Sequence, residues 1–109
     1  MVNQAVHLFK AEFFKALAHP MRIAILELLQ AGEKSVGELQ ELLKVESSGV
    51  SQQLAVLRAR NLVDTRKDGT TVYYSLRDPK IGNLLDVARQ VFNNHLVDTK
   101  AMLELINSP

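Results

Sequence analysis

A small, mainly α-helical chain carrying one β-hairpin is what three features of the sequence predict. The first is Ser47–Arg60, SSGVSQQLAVLRAR, where Val50, Leu54 and Leu57 recur at helical spacing and turn one face to a core. The second is Ser35–Leu43, SVGELQELL, a shorter helix set off from the first by only Lys44, Val45 and Glu46. The third is Asp68-Gly69 between the runs Leu62–Lys67 and Thr70–Leu76, the strongest short-range hairpin signal. Helix, turn, helix and hairpin in that order predict a winged helix-turn-helix in a single domain over residues 1–109.

Taken in order, Gln4–Ala18 is a helix with Val6, Phe9, Phe13, Ala16 and Leu17 on a broad apolar side. His19-Pro20 stops it, because the residue before proline avoids helical angles. Pro20 suits the first turn of the next helix, Met21–Gln30, which buries Ile23, Ile25, Leu26 and Leu29 and is closed by Gly32. Ser35 caps the third helix, with Glu38 completing a capping box. Glu46 is a poor cap and Ser47 a good one, so the fourth helix is expected to start after Ser47.

In the hairpin, a two-residue Asp68-Gly69 loop sets Thr65 opposite Val72 and Val63 opposite Tyr74. Val63, Thr65, Val72, Tyr74 and Leu76 then share the core face. Asp78 caps a last helix over residues 79–106, with Pro79 in its first position. Its stripe is Ile81, Leu85, Ala88, Phe92, His95 and Met102, and it would be about 40 Å long at 1.5 Å per residue. An amphipathic helix longer than the domain it follows packs on a partner. Together with the aromatic-rich helix over residues 4–18, it predicts a homodimer through the first and last helices.

The outward face of Ser47–Arg60 carries Ser48, Ser51 and Gln52, short neutral donors and acceptors rather than the Glu and Lys of a merely soluble surface. Side chains of this kind near a helix N-terminus suit base edges in a major groove. Ser47 and Gln53 stand beside them among the expected DNA contacts. From Arg58 to Lys80, six basic residues face three acidic ones, whereas Glu33–Glu46 holds two basic against four acidic. Positive charge thus gathers at Arg58, Arg60, Arg66 and Lys67, and with Thr70 at the hairpin tip these are the expected phosphate contacts. A solvated turn is the alternative for the tip.

Formal net charge is only +1, so the chain as a whole is not a polybasic binder. There is no cysteine, which removes disulfides, thiolate metal sites and thiol redox sensing together. No apolar run approaches a membrane span, and residues 1–10 lack the basic start and long apolar core of a signal peptide, so a cytoplasmic protein without a membrane partner is expected. No nucleophile with a base beside it, and no phosphate-binding glycine loop, suggests an enzyme.

The stretches FFKALAHPMRIAILELL (Phe13–Leu29), SVGELQELL, VSQQLAVLRARNLV (Val50–Val63) and RKDGTTVYYSL (Arg66–Leu76) resemble the ArsR family of bacterial winged-helix repressors. The resemblance covers nearly the whole chain. It implies a dimer built from the first and last helices, and a repressor that binds an inverted-repeat operator in double-stranded DNA. It also shows departures. Metal sensors of this family often carry two cysteines at the positions of Ser35 and Gly37, where this chain has no ligand. A second family site begins with an aspartate, matched by Asp78, but Lys80 replaces its histidine and Val91 and Asn94 replace its partner ligands.

Three histidines are left for a signal. His19, before Pro20, reads as a structural turn residue. His95 and Asp98, three residues apart on one side of the last helix, and a His7 from either chain form a nitrogen/oxygen set that suits nickel, zinc or cobalt. A plain interface histidine is the competing reading, and relief by a small inducer or by no inducer stays open. A winged helix used only as a protein-interaction module is the alternative of a different class, and it calls for exposed apolar residues on the outward face of Ser47–Arg60.

Overall fold

The computed structural model describes residues 4–107, the side chains of Ser47 and Val97 excepted. Its order is α1 (Gln4–Leu17), α2 (Pro20–Leu29), β1 (Lys34–Ser35), α3 (Val36–Leu43), α4 (Ser47–Ala59), β2 (Val63–Asp68), β3 (Thr71–Leu76) and α5 (Pro79–Asn107). The winged helix-turn-helix expected from the sequence is present. Ile25 and Leu26 of α2, Leu39 of α3 and Val50, Leu54 and Leu57 of α4 are wholly buried against one another, and Leu62 and Val63 join them from the root of the hairpin.

The local signals act as their chemistry requires. His19 is the N-cap of α2, with Nδ1 accepting from the Met21 N–H at 3.1 Å, so its role is the structural one. Ser35 and Glu38 form the reciprocal capping box of α3. Lys44 ends α3 in the left-handed region at φ 56°, which folds the chain back tightly enough for a three-residue connection to α4. Asp78 Oδ1 accepts from the Lys80 N–H at 2.9 Å and caps α5.

Two expectations are corrected. Ser47 is the first helical residue of α4 rather than its cap: Glu46 occupies the N-cap in extended backbone and makes no side-chain cap bond. The tight turn delivers the chain already helical at Ser47, and docking of Val50, Leu54 and Leu57 holds the helix without a polar cap. The hairpin register also differs, because Asp68 pairs with Thr71 and leaves Gly69-Thr70 as the loop. Thr65 faces Tyr74 and Val63 faces Leu76. Only the first loop residue, Gly69 at φ +64°, has a positive φ, as a turn with glycine first requires. The slip is two residues, an even number, so the core face keeps the side chains assigned to it.

One strand has no sequence counterpart. Lys34–Ser35 pairs antiparallel with β3, Lys34 against Tyr74 and Ser35 against Tyr73, to give the sheet order β1-β3-β2. This ties the entry of the helix-turn-helix to the hairpin.

α5 leaves the domain. Ile81 and Leu85 are buried, and two polar contacts hold this first part to α2: Gln30 Nε2 donates to Asp86 Oδ2 at 2.8 Å, and Arg89 pairs with Glu27. From Arg89 to Asn107 every described side chain is exposed. The radius of gyration, 17.5 Å, records the projection; a compact chain of this length has about 13 Å.

Candidate nucleic-acid interface

α4 presents two unlike faces. Val50, Leu54 and Leu57 fix its rotation by packing inward, which leaves Ser48, Ser51, Gln52, Ala55 and Ala59 in solvent. Ser48, Ser51 and Gln52 make no side-chain hydrogen bond among the described residues, so their donors and acceptors are open to a ligand. Ser51, Ala55 and Arg58 face Tyr74 of β3 across a cleft of 470 Å³ between helix and hairpin. The described residues include only the backbone of Ser47, and its expected contact lies outside them.

The remaining expected contacts divide. Arg58, at the end of α4, and Lys67 and Thr70, at the hairpin tip, are exposed, and neither Arg58 nor Lys67 is ion-paired among the described residues. Arg60 points to α1, where Nη1 lies 3.2 Å from Glu12 Oε2. Arg66 is held by Glu33, just before β1, through two hydrogen bonds of 2.6 and 3.1 Å, and its guanidinium stacks 4.9 Å from the centre of the Tyr73 ring. The hydrogen bond and charge of Arg66 hold the Glu33 carboxyl below the usual carboxylate range, and Glu33 in turn raises Arg66.

Gln53 is engaged within the chain. It is half-buried on the flank of α4, and its Oε1 accepts from Arg22 Nη1 at 3.0 Å. Arg22 also donates through Nε to the Ala16 carbonyl at 2.7 Å, near the end of α1, and through Nη2 at 3.4 Å to the Lys15 carbonyl, which also accepts from the Ala18 N–H. Sequence reasoning missed Arg22 and Glu33. A signal for the first was present: PMRIAILELL contains just two charged residues, Arg22 and Glu27, and each fastens α2 to another helix.

His7 is exposed on α1, and His95 and Asp98 are exposed on the projecting part of α5. Among the described residues of one chain, no three His, Cys, Asp or Glu side chains gather as metal ligands. Among the described residues, no helix is long and apolar enough to cross a membrane.

Comparison with known proteins agrees with this geometry. A family model for a helix-turn-helix domain matches residues 17–66. Rv0081 of Mycobacterium tuberculosis, an uncharacterized HTH-type transcriptional regulator, is 50% identical over 105 residues, 95% of this chain and 92% of its own. Its crystal structure superposes with a TM-score of 0.78 over 86% of this chain and 95% of that one. The homodimeric winged helix-turn-helix DNA-binding domain of Mb0332 from Mycobacterium bovis, described as a possible ArsR-family regulator, gives a TM-score of 0.77 at 29% identity over 88% of this chain and 94% of that one. A biofilm growth-associated repressor of Agrobacterium fabrum is 39% identical over 82 residues, 75% of this chain and 70% of its own.

Fold and relatives together define a winged helix-turn-helix, DNA-binding transcriptional regulator. Within that class, the chain belongs to the ArsR family.

Proposed function

We infer that the chain is a cytoplasmic repressor that binds an inverted-repeat operator as a homodimer, acting by occupancy and not by catalysis. The observation that carries this reading is α4: Val50, Leu54 and Leu57 are consumed by the core, and the outward face sets the small, neutral side chains of Ser48, Ser51 and Gln52, unengaged among the described residues, beside a hairpin whose tip lysine, Lys67, has no ion pair among them. Ser48, Ser51 and Gln52 read bases, with Gln52 as the bidentate contact to adenine. Arg58, Lys67 and Thr70 take phosphates.

Two copies are supported by what α1 and α5 leave in water. Phe9 is 77% exposed, Phe92 63% and Leu105 77%, a large apolar surface for so small a chain. The M. bovis neighbour is homodimeric. The protein-interaction reading is disfavoured because the outward centre of α4 is serine, glutamine and alanine, with Val56 at 37% exposure on the rim as its largest apolar group.

The test is a binding titration at several salt concentrations. One duplex is selected by the protein from a random library, and the other is a scrambled duplex of equal length. A steep fall of affinity with salt on both duplexes, with tighter binding to the selected one, is the expected result. Affinity that ignores salt and sequence would overturn the reading.

A further inference from the structure

We propose that Gln53 meets DNA only as a hydrogen-bond donor, on a backbone phosphate, and that Arg22 is the residue that positions it; this rests on the reading of α4 as the DNA-reading helix.

Arg22 Nη1 donates to Gln53 Oε1 at 3.0 Å. A guanidinium has donors and no acceptor, so chemistry alone puts the amide oxygen, not the amide nitrogen, toward Arg22. Glutamine recognises adenine with both ends of its amide, the oxygen accepting from N6 and the nitrogen donating to N7. The oxygen has a second lone pair, but while it is turned to α2 the amide cannot present both ends side by side to one adenine edge, so Gln53 gives up that bidentate pair. What it keeps is the Nε2 group and its two hydrogens.

Position on the helix points the same way. Consecutive residues are about 100° apart around an α-helix. Gln52 is exposed on the outward face and Gln53 is half-buried on the flank next to α2. A flank faces the wall of a groove rather than its floor, and the walls are phosphate oxygens, acceptors without sequence information. Neighbouring glutamines thus take different jobs: Gln52, with both amide ends open, reads a base, and Gln53 sets the depth and rotation of α4 against the backbone.

Arg22 does more than occupy the oxygen. Because its Nε and Nη2 are fixed to the Ala16 and Lys15 carbonyls, the amide of Gln53 is oriented from the C-terminal end of α1. A chain of hydrogen bonds runs from α1 through Arg22 to the reading helix.

The experiment uses the full chain, the duplex that the wild type selects from a random library, and a scrambled duplex. Gln53→Glu keeps an acceptor for Arg22 but removes both donors. It is expected to melt at or above the wild-type temperature. It should bind both duplexes more weakly by the same factor, roughly tenfold for one hydrogen bond to a charged group, and select an unchanged consensus. Arg22→Met and Gln53→Ala should each show the same sequence-independent loss, and together lose less than the two losses combined.

A loss confined to the selected duplex, or a changed consensus, makes Gln53 a base reader and overturns the proposal. Unchanged affinity of Gln53→Glu for both duplexes makes the pair purely structural and also overturns it. If Arg22→Met does not fold, Gln53→Ala, which removes the donors without adding a charge beside the phosphates, decides together with Gln53→Glu. A wild-type chain that enriches no DNA overturns the functional reading itself, and the proposal with it, before any variant is compared.

Discussion

α4 and the outer part of α5 are both amphipathic helices of one chain, and they treat their apolar residues in opposite ways. In α4 the large apolar set is consumed at home: Val50, Leu54 and Leu57 have no exposed surface, and what faces water is Ser48, Ser51, Gln52 and small alanines, with Val56 on the rim. In α5 the first two turns are spent the same way on Ile81 and Leu85, after which Val91, Phe92, Leu96, Met102, Leu103, Leu105 and Ile106 stand in solvent. Both helices are unfinished surfaces. Ser48, Ser51 and Gln52 of α4 lack hydrogen-bond partners among the described residues and α5 exposes apolar side chains, so in the proposed reading the first meets a polar groove and the second an apolar helix of another copy.

Breaking the apolar side of that comparison is expected to have the largest effect. A charge at Phe92, in Phe92→Glu, should dissociate the dimer and reduce DNA binding to background while leaving the melting of the domain nearly unchanged, since Phe92 is 63% exposed within one chain. Sedimentation and a binding titration read both quantities, and an undisturbed dimer would place the interface elsewhere.

The mirror experiment is Leu54→Ala. Leu54 is fully buried, so the fold itself should lose about 2–5 kcal/mol, seen as a lower denaturant midpoint. A loss below about 1 kcal/mol would mean that the core of α4 is not close-packed.

On the polar side, Gln52→Ala should cost roughly 1–3 kcal/mol on the selected duplex and much less on scrambled DNA, with no change in melting. Equal losses on both duplexes would assign Gln52 to the backbone.

The smallest effect sharpens rather than breaks. Glu33 holds the Arg66 guanidinium, so Glu33→Gln should release one cation to DNA and steepen the slope of log affinity against log salt by up to about one unit. The same pair has a signed pH dependence. The carboxyl of Glu33 is depressed, so its contribution is present at neutral pH and is lost as pH falls through a value below the usual carboxylate range. A salt slope identical to wild type would leave Arg66 bound elsewhere or out of reach.

Much of this was legible in the sequence because local rules carried it. The Ser35–Glu38 capping box, Pro20 and Pro79 at helix starts, and the 3.6-residue recurrence of Val50, Leu54 and Leu57 are each decided within a turn or two of chain. Lys34–Ser35 could not be found that way, since two residues have no periodicity and the strand exists only because β3 lies alongside. The hairpin register turned on whether Asp68 ends the strand or opens the loop, and both readings put the same residues on the core face.

For the site, helical spacing located Ser48, Ser51 and Gln52, but composition could not tell a free cation from a paired one. Arg60 meets Glu12, Arg66 meets Glu33 and Arg22 meets Gln53, partners 48, 33 and 31 residues away that only the tertiary fold brings near.

α5 is also a lever. Asp86 and Arg89 grip Gln30 and Glu27, and beyond that pivot the helix to Asn107 makes an arm of about 27 Å at 1.5 Å per residue. A tilt of about 7° at that fulcrum swings the far end by about 3.3 Å, close to the rise of one base-pair step at about 3.4 Å. In the proposed dimer the gap between the two α4 helices is then geared to the polar contacts at the pivot, and small substitutions there are expected to retune which operator spacing the protein fits.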